Sequence, residues 1–174
     1  DMSSRLSIRA ATEADADALW ALLRPVFRAG DTYAVEPGIG RREALAYWTG
    51  APQGPLPGTA FLAEQGGQPA GTFYLRPNAR GGGAHVANAG FVTARAAQGR
   101  GVGRAMLHAA EREARQRGFL AMQFNFVVAT NTRALHIWQS AGYETVGRLP
   151  RAFRHPREGL VDAVLLYKSL ESPP

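Results

Sequence analysis

Apolar and polar positions along the chain change period several times, and the changes mark out its elements. Residues 6–9 alternate with period two and read as a first strand. Thr12 then stands as a helix N-cap, with Glu13, Asp15 and Asp17 in the opening turns. Leu19, Leu22, Leu23 and Val26 recur at helical spacing to about Arg28, and Pro25 is expected to end or kink that helix early. A loop over 29–40 leads to a short helix over 41–49. The breaker-rich run 50–58, with Pro52, Pro55 and Pro57, reads as a connector rather than a domain boundary.

Strand-like segments over 59–64 and 70–76 form a hairpin around the turn-rich loop 65–69. Gly81, Gly82 and Gly83 lead to a third long strand over 85–93. Residues 94–103 open a helix that runs to about Arg117, with Met106, Leu107 and Ala110 on its apolar side and Gly118 placed to terminate it. Residues 119–128 have the length and apolar character of a buried strand, and 131–141 form a short amphipathic helix closed by Gly142. Strands over 143–148 and 160–167 complete the series, joined by a loop carrying Arg151, Phe153, Arg154 and His155. This order predicts mixed α/β layers: six to seven largely antiparallel strands flanked by about four helices. A single domain over 1–174 is expected, with flexible fringe at 1–5 and 170–174.

Length and composition narrow the chemistry. A chain of 174 residues with 45% apolar content buries one good core. No segment approaches the roughly 18 uninterrupted apolar residues of a membrane helix, and the N-terminus lacks a basic-then-apolar leader pattern, so a cytoplasmic protein with no membrane partner is expected. The absence of cysteine removes thiolate metal sites and cysteine nucleophiles. The net charge of +6 could suggest nucleic acid, but Lys168 is the one lysine among 20 basic residues and the arginines are scattered. No nucleic-acid partner is expected. His108 and His136 fall on different helices without a ligand-spaced cluster, so no metal is expected either.

The candidate chemistry centres on Gln98-Gly99-Arg100-Gly101-Val102-Gly103-Arg104, set between a strand and the most secure helix. A helix N-terminus presents unpaired N–H groups and about half a positive charge, glycines let a ligand approach the backbone, and Arg100 and Arg104 add cations. That combination suits a phosphate group. The dinucleotide pattern G-x-G-x-x-G fails, because Arg104 or Met106 falls where the third glycine belongs, and no Gly-Lys-Ser/Thr occurs.

Here the chain resembles the GNAT superfamily of N-acetyltransferases. Its signature Q/R-x-x-G-x-G/A is met by Gln98, Gly101 and Gly103 after a strand ending Phe91-Val92-Thr93. Its second signature is met by the run from Asn131 through Ala134 and Trp138 to Gly142-Tyr143, with two aromatic exchanges. The resemblance implies a twisted sheet whose strands splay at the cofactor site. It implies acetyl-CoA as co-substrate: backbone of Phe91, Val92 and Thr93 along the pantetheine arm, Gly99 to Arg104 around the pyrophosphate, and Asn131 near the thiol end.

The mechanism implied is direct attack of a neutral amine on the thioester, with a backbone N–H, that of Val92, as oxyanion donor. A primary amine with pKa about 10 must first lose a proton. His85, read as lying on the strand that faces the acceptor, is a candidate base, with a strand-start surface histidine as the plain alternative. Trp138 occupies the position where many members have a tyrosine acid. Gln123 and Asn125 interrupt an apolar strand and either knit neighbouring strands or touch ligand. Tyr33, Asn125 and Arg154 are candidates for acceptor contact, against core packing and an exposed basic loop, whereas Trp48 reads as core. The segment from Gly147 to Asp162 is similar to the amino-acid and phosphinothricin-type branch, which implies a small-molecule amine acceptor. Protein N-termini or lysines, and a non-catalytic acyl-CoA-binding module, are the competing readings; a homodimer is left open.

Overall fold

The computed structural model describes residues 5–50 and 59–172. The connector expected over 50–58 therefore lies, apart from Gly50, outside the described residues, as do 1–4 and 173–174 of the expected fringes. In chain order the elements are β1 (Leu6–Ala10), α1 (Ala16–Ala29), α2 (Arg41–Thr49), β2 (Ala60–Gln65), β3 (Gln68–Pro77) and β4 (Val86–Thr93). Then follow α3 (Val102–Gln116), β5 (Ala121–Val128), α4 (Thr132–Ser140), β6 (Glu144–His155) and β7 (Gly159–Ser169). The seven strands form one sheet in the order β1-β2-β3-β4-β5-β7-β6, and β4–β5 is its parallel pair. No described helix is long and apolar enough to cross a membrane.

Strand alternation sends successive side chains to opposite faces, and each face carries its own core. Leu62, Tyr74 and Val92 meet Leu23 and Phe27 of α1 and Trp48 of α2 on one face. Phe73, Leu75 and Ala89 meet Met106 and Leu107 of α3 on the other. Leu23, Trp48, Met106 and Leu107 are fully buried; each such side chain contributes about 1.5–3 kcal/mol by leaving water. Trp48 is core, its indole N–H donating to Thr72 Oγ1 at 2.9 Å. At the start of α1, both terminal nitrogens of Arg9 reach the Asp15 carboxylate at 2.8 Å. That guanidinium, with the Thr12 N–H, holds the Asp15 carboxyl down at about 2.

Four expectations are corrected. Helix α1 runs through Pro25 rather than ending there, because Leu22, Leu23 and Phe27 on either side bury one continuous face and outweigh the missing hydrogen bond. The hairpin loop is shorter than 65–69: Gln65 pairs with Gln68, leaving Gly66–Gly67 as the turn. Arg151, Phe153, Arg154 and His155 belong to β6, not to a loop. The ladder there is irregular between Leu149 and Phe153, and Pro150 and the left-handed Arg151 (φ 53) hide the alternation; an edge strand tolerates both. Leu170, placed in the fringe, is buried and its N–H donates to the Leu120 carbonyl at 2.8 Å.

Candidate active site

Parallel pairing of β4 with β5 covers only Val86–Asn88 against Ala121–Gln123. Beyond those residues the strands part. A cavity of about 720 Å³ lies between them, lined by the ends of both strands and by the start of α3. The pleat of β4 decides which backbone groups face that cavity. The Ala94 N–H donates to Ala70 O at 2.8 Å, and antiparallel bonds recur every second residue. The Val92 N–H therefore points to Thr72 on β3, its register partner, while Phe91 turns its amide to the open side. This corrects the expectation for Val92: its N–H is committed to the ladder, and the Phe91 N–H is the one turned to the cavity side. The Tyr33 hydroxyl takes both Phe91 groups, accepting from its N–H and donating to its carbonyl at 2.8 Å each.

From Thr93 the chain passes a short turn to Gln98 and the glycine loop. Gly99 and Gly101 adopt φ of 79° and 78°, a region that costs other residues about 1–2 kcal/mol. Gly101 is the N-cap of α3, so the first amides of that helix open beside a backbone free of side chains. Arg104 lines the cavity, and so does Arg133 on α4; a Cβ at Gly99 would stand 3.9 Å from the Arg133 guanidinium. Arg133 was not singled out in the sequence, although its place in the first turn of a helix beside the loop was legible. Arg100 is exposed and outside the lining. Asn131 lines the cavity and caps α4, accepting from the Ala134 N–H at 3.4 Å. Trp138 is 8% exposed. Its ring packs against Phe91 and Phe124 at centroid distances of 4.9 and 5.2 Å, filling the wedge between the parted strands.

The opposite half of the cavity is polar and aromatic. Tyr74 lies across Gly90 so closely that a Cβ there would come 2.3 Å from Tyr74 Cε2; only glycine admits the ring. Its hydroxyl donates to Asn88 Oδ1 at 3.0 Å, and Asn88 Nδ2 donates to the Gln123 carbonyl at 3.0 Å. Gln123 donates to Asn125, and Asn125 to Asn78, at 2.8 and 2.6 Å. The Asn125 amide thus ties β5 to the residue after β3 and lines the cavity as well, whereas the Gln123 amide bonds along its own strand. Burial pushes the Tyr33 and Tyr74 hydroxyls well above their ordinary range, so both stay neutral donors.

Among the described residues the lining holds no aspartate, glutamate or histidine. His85 is exposed on the turn before β4 and outside the cavity; it has the strand parity of Ala87 and Ala89, which face α3 rather than the acceptor half. Arg154 is exposed on β6, also outside the lining. His155 is buried, its Nδ1 accepting the Arg157 and Glu158 amides at 3.1 Å, which makes it a turn cap. Among the described residues no group of three or more potential metal ligands occurs.

Known proteins resemble this chain in sequence and in fold. Residues 17–143 fit the model of the acetyltransferase (GNAT) family. A GCN5-related N-acetyltransferase from Kribbella flavida is 40% identical, with a TM-score of 0.86 over 94% of this chain and 97% of that one. The yncA protein of Salmonella typhimurium, solved with its cofactor acetyl-CoA, shares the fold at a TM-score of 0.81 and 19% identity, over 98% and 97% of the two chains. N-acetyltransferase aca1 of Schizosaccharomyces pombe is 33% identical over 96 residues, 55% of this chain and 46% of that relative. The chain thus aligns with less than half the length of this curated relative. With the family model covering most of its length, from the start of α1 through α4, the chain belongs to the GNAT acetyltransferase family.

Proposed function

We propose that this chain transfers the acetyl group of acetyl-CoA to the primary amine of a small molecule, by direct attack with both substrates bound. One observation carries the reading: a single cavity joins an open strand edge at Phe91–Thr93, a bare helix N-terminus at Gly101 with two arginines, and a separate polar chamber. An extended, amide-bearing donor with a pyrophosphate fits the first two. The chamber is left for the acceptor.

When bound, acetyl-CoA supplies an activated thioester. Backbone at Gly99, Gly101 and Val102, with Arg104 and Arg133, would hold its pyrophosphate, and the edge of β4 its arm. The Phe91 N–H is the donor for the oxygen that gains charge during attack. Trp138 excludes water beneath that point, and its indole offers a hydrogen bond but no practical acid. With no described imidazole or carboxylate in the lining, the amine gives its proton to water inside the chamber. The branch resemblance of the segment ending at Asp162 supports an amino acid or analogue as acceptor.

A panel of amino acids, polyamines and peptides, scored by amine-dependent release of coenzyme A thiol, tests the proposal. Turnover of free small amines is expected. Activity confined to peptides would contradict the acceptor class, and acetyl-CoA binding without transfer to any amine would make the chain a binding module.

A further inference from the structure

Arg76 is the charged residue of the acceptor half. It sits on β3 directly opposite Asn88 of β4, and its guanidinium lies 3.8 Å from the centroid of the Tyr74 ring. That ring in turn covers Gly90, the residue before Phe91. The cation is therefore stacked one aromatic ring away from the strand position that offers the reactive N–H. Its Nη2 donates to the Tyr47 carbonyl at 2.9 Å, and its Nε is buried without a hydrogen-bond partner. It forms no ion pair with a described carboxylate. Thr32, across the same chamber, has a buried hydroxyl that also lacks a partner.

An incompletely bonded, half-buried guanidinium is costly unless an anion reaches it. The charged residues of the described lining are Arg76, Arg104 and Arg133, all cationic. Such a cavity repels a diamine and attracts an acceptor that brings its own negative charge. Arg104 and Arg133 stand at the glycine loop, where the pyrophosphate is placed. That leaves Arg76 for the acceptor. The stack on Tyr74, whose ring crosses Gly90 beside Phe91, keeps the cation on the acceptor side of that edge, where it can meet an anion carried by the same small molecule as the attacking nitrogen.

We infer that Arg76 binds the carboxylate of an α-amino acid acceptor and orients its amine toward the Phe91 edge. The inference rests on the acetyltransferase reading above and adds the acceptor's charge and the residue that reads it. The fork of Arg76 meets the carboxylate, the Tyr74 ring fixes the fork, and the amides of Asn78, Asn88 and Asn125 border the side-chain space.

Kinetics on matched acceptors test it. Each standard amino acid is compared with its α-carboxamide and with the amine lacking the carboxyl group, alongside diamines and short peptides, using wild type, Arg76→Lys and Arg76→Met. Wild type should favour the carboxylate member by about tenfold or more in kcat/KM expressed per neutral amine, the worth of one charged hydrogen-bonded contact. Arg76→Met should erase that preference by raising KM for the carboxylate member alone, with KM for acetyl-CoA unchanged; Arg76→Lys should keep part of it. A merely structural role would lower both members of a pair together. Equal or better kcat/KM per neutral amine for carboxamides or diamines with wild type would overturn the inference while leaving acetyl transfer intact. So would an Arg76→Met enzyme that still discriminates. Acetyl-CoA binding without transfer to any member would overturn both readings.

Discussion

The phenolic oxygen of Tyr33 stands 2.8 Å from both the nitrogen and the carbonyl oxygen of Phe91. It thus occupies the two groups that β4 offers where it parts from β5. The ring is held edge-on by Phe27 and Trp48, with centroids 5.5 and 5.7 Å away. A thioester oxygen and this hydroxyl compete for one N–H. Tyr33→Phe should therefore bind acetyl-CoA several-fold more tightly by calorimetry, while losing about 1 kcal/mol of stability in the free protein. Weaker binding in the variant would mean that the hydroxyl helps to hold the donor.

Gly101→Glu tests the pyrophosphate site. Space is available, since a Cβ there meets nothing within 4 Å, so the fold should survive at a cost of about 1–2 kcal/mol for the left-handed backbone. The new carboxylate, however, stands at the helix N-terminus where phosphate must sit. Affinity for acetyl-CoA should fall by about a hundredfold or more, with an unchanged circular dichroism spectrum. Wild-type affinity in the folded variant would remove the site from this loop.

Gly90→Ala acts on the acceptor half instead. Its Cβ would arrive 2.3 Å from Tyr74 Cε2, forcing the ring and the stacked Arg76 aside. Overpacking of this kind costs about 1–3 kcal/mol in a denaturant melt. KM for the amine should rise while acetyl-CoA binding stays near wild type. An unaltered amine KM would separate Tyr74 from acceptor binding.

The glycine loop was legible because its pattern is written in spacing: Gln98, Gly101 and Gly103 stand next to a strongly periodic helix. Most element bounds followed from alternation and caps for the same reason. The Val92 N–H turns into the sheet rather than the cavity because strand parity depends on register with β3, a long-range fact. His85 lies outside the acceptor half for a related reason, since it shares the parity of Ala87. Tyr74, Arg76 and Asn78 did carry a signal, polar groups at period two on one strand face. The apolar character of the segment concealed it. Pro150 hid the length of β6, because proline is tolerated at an edge that sequence alone does not identify.

The pH profile follows from what borders the chamber. Burial raises Tyr33 and Tyr74, and a raised acid stays neutral to higher pH; neither ionises below the range where a primary amine, pKa about 10, loses its proton. With water as proton acceptor, log kcat/KM should climb with slope near one toward the amine pKa, and His85→Ala should overlay wild type. A break in the histidine range, about 6.5, that His85→Ala abolishes would restore histidine as the base.

Direct transfer with both substrates bound is tested by initial rates of thiol release over a grid of acetyl-CoA and amino-acid concentrations, with the acetylated amine identified by mass spectrometry. Reciprocal plots are predicted to intersect, with one acetylated amine formed for each thiol released. Parallel plots, or thiol released without acetylated amine, would contradict the account.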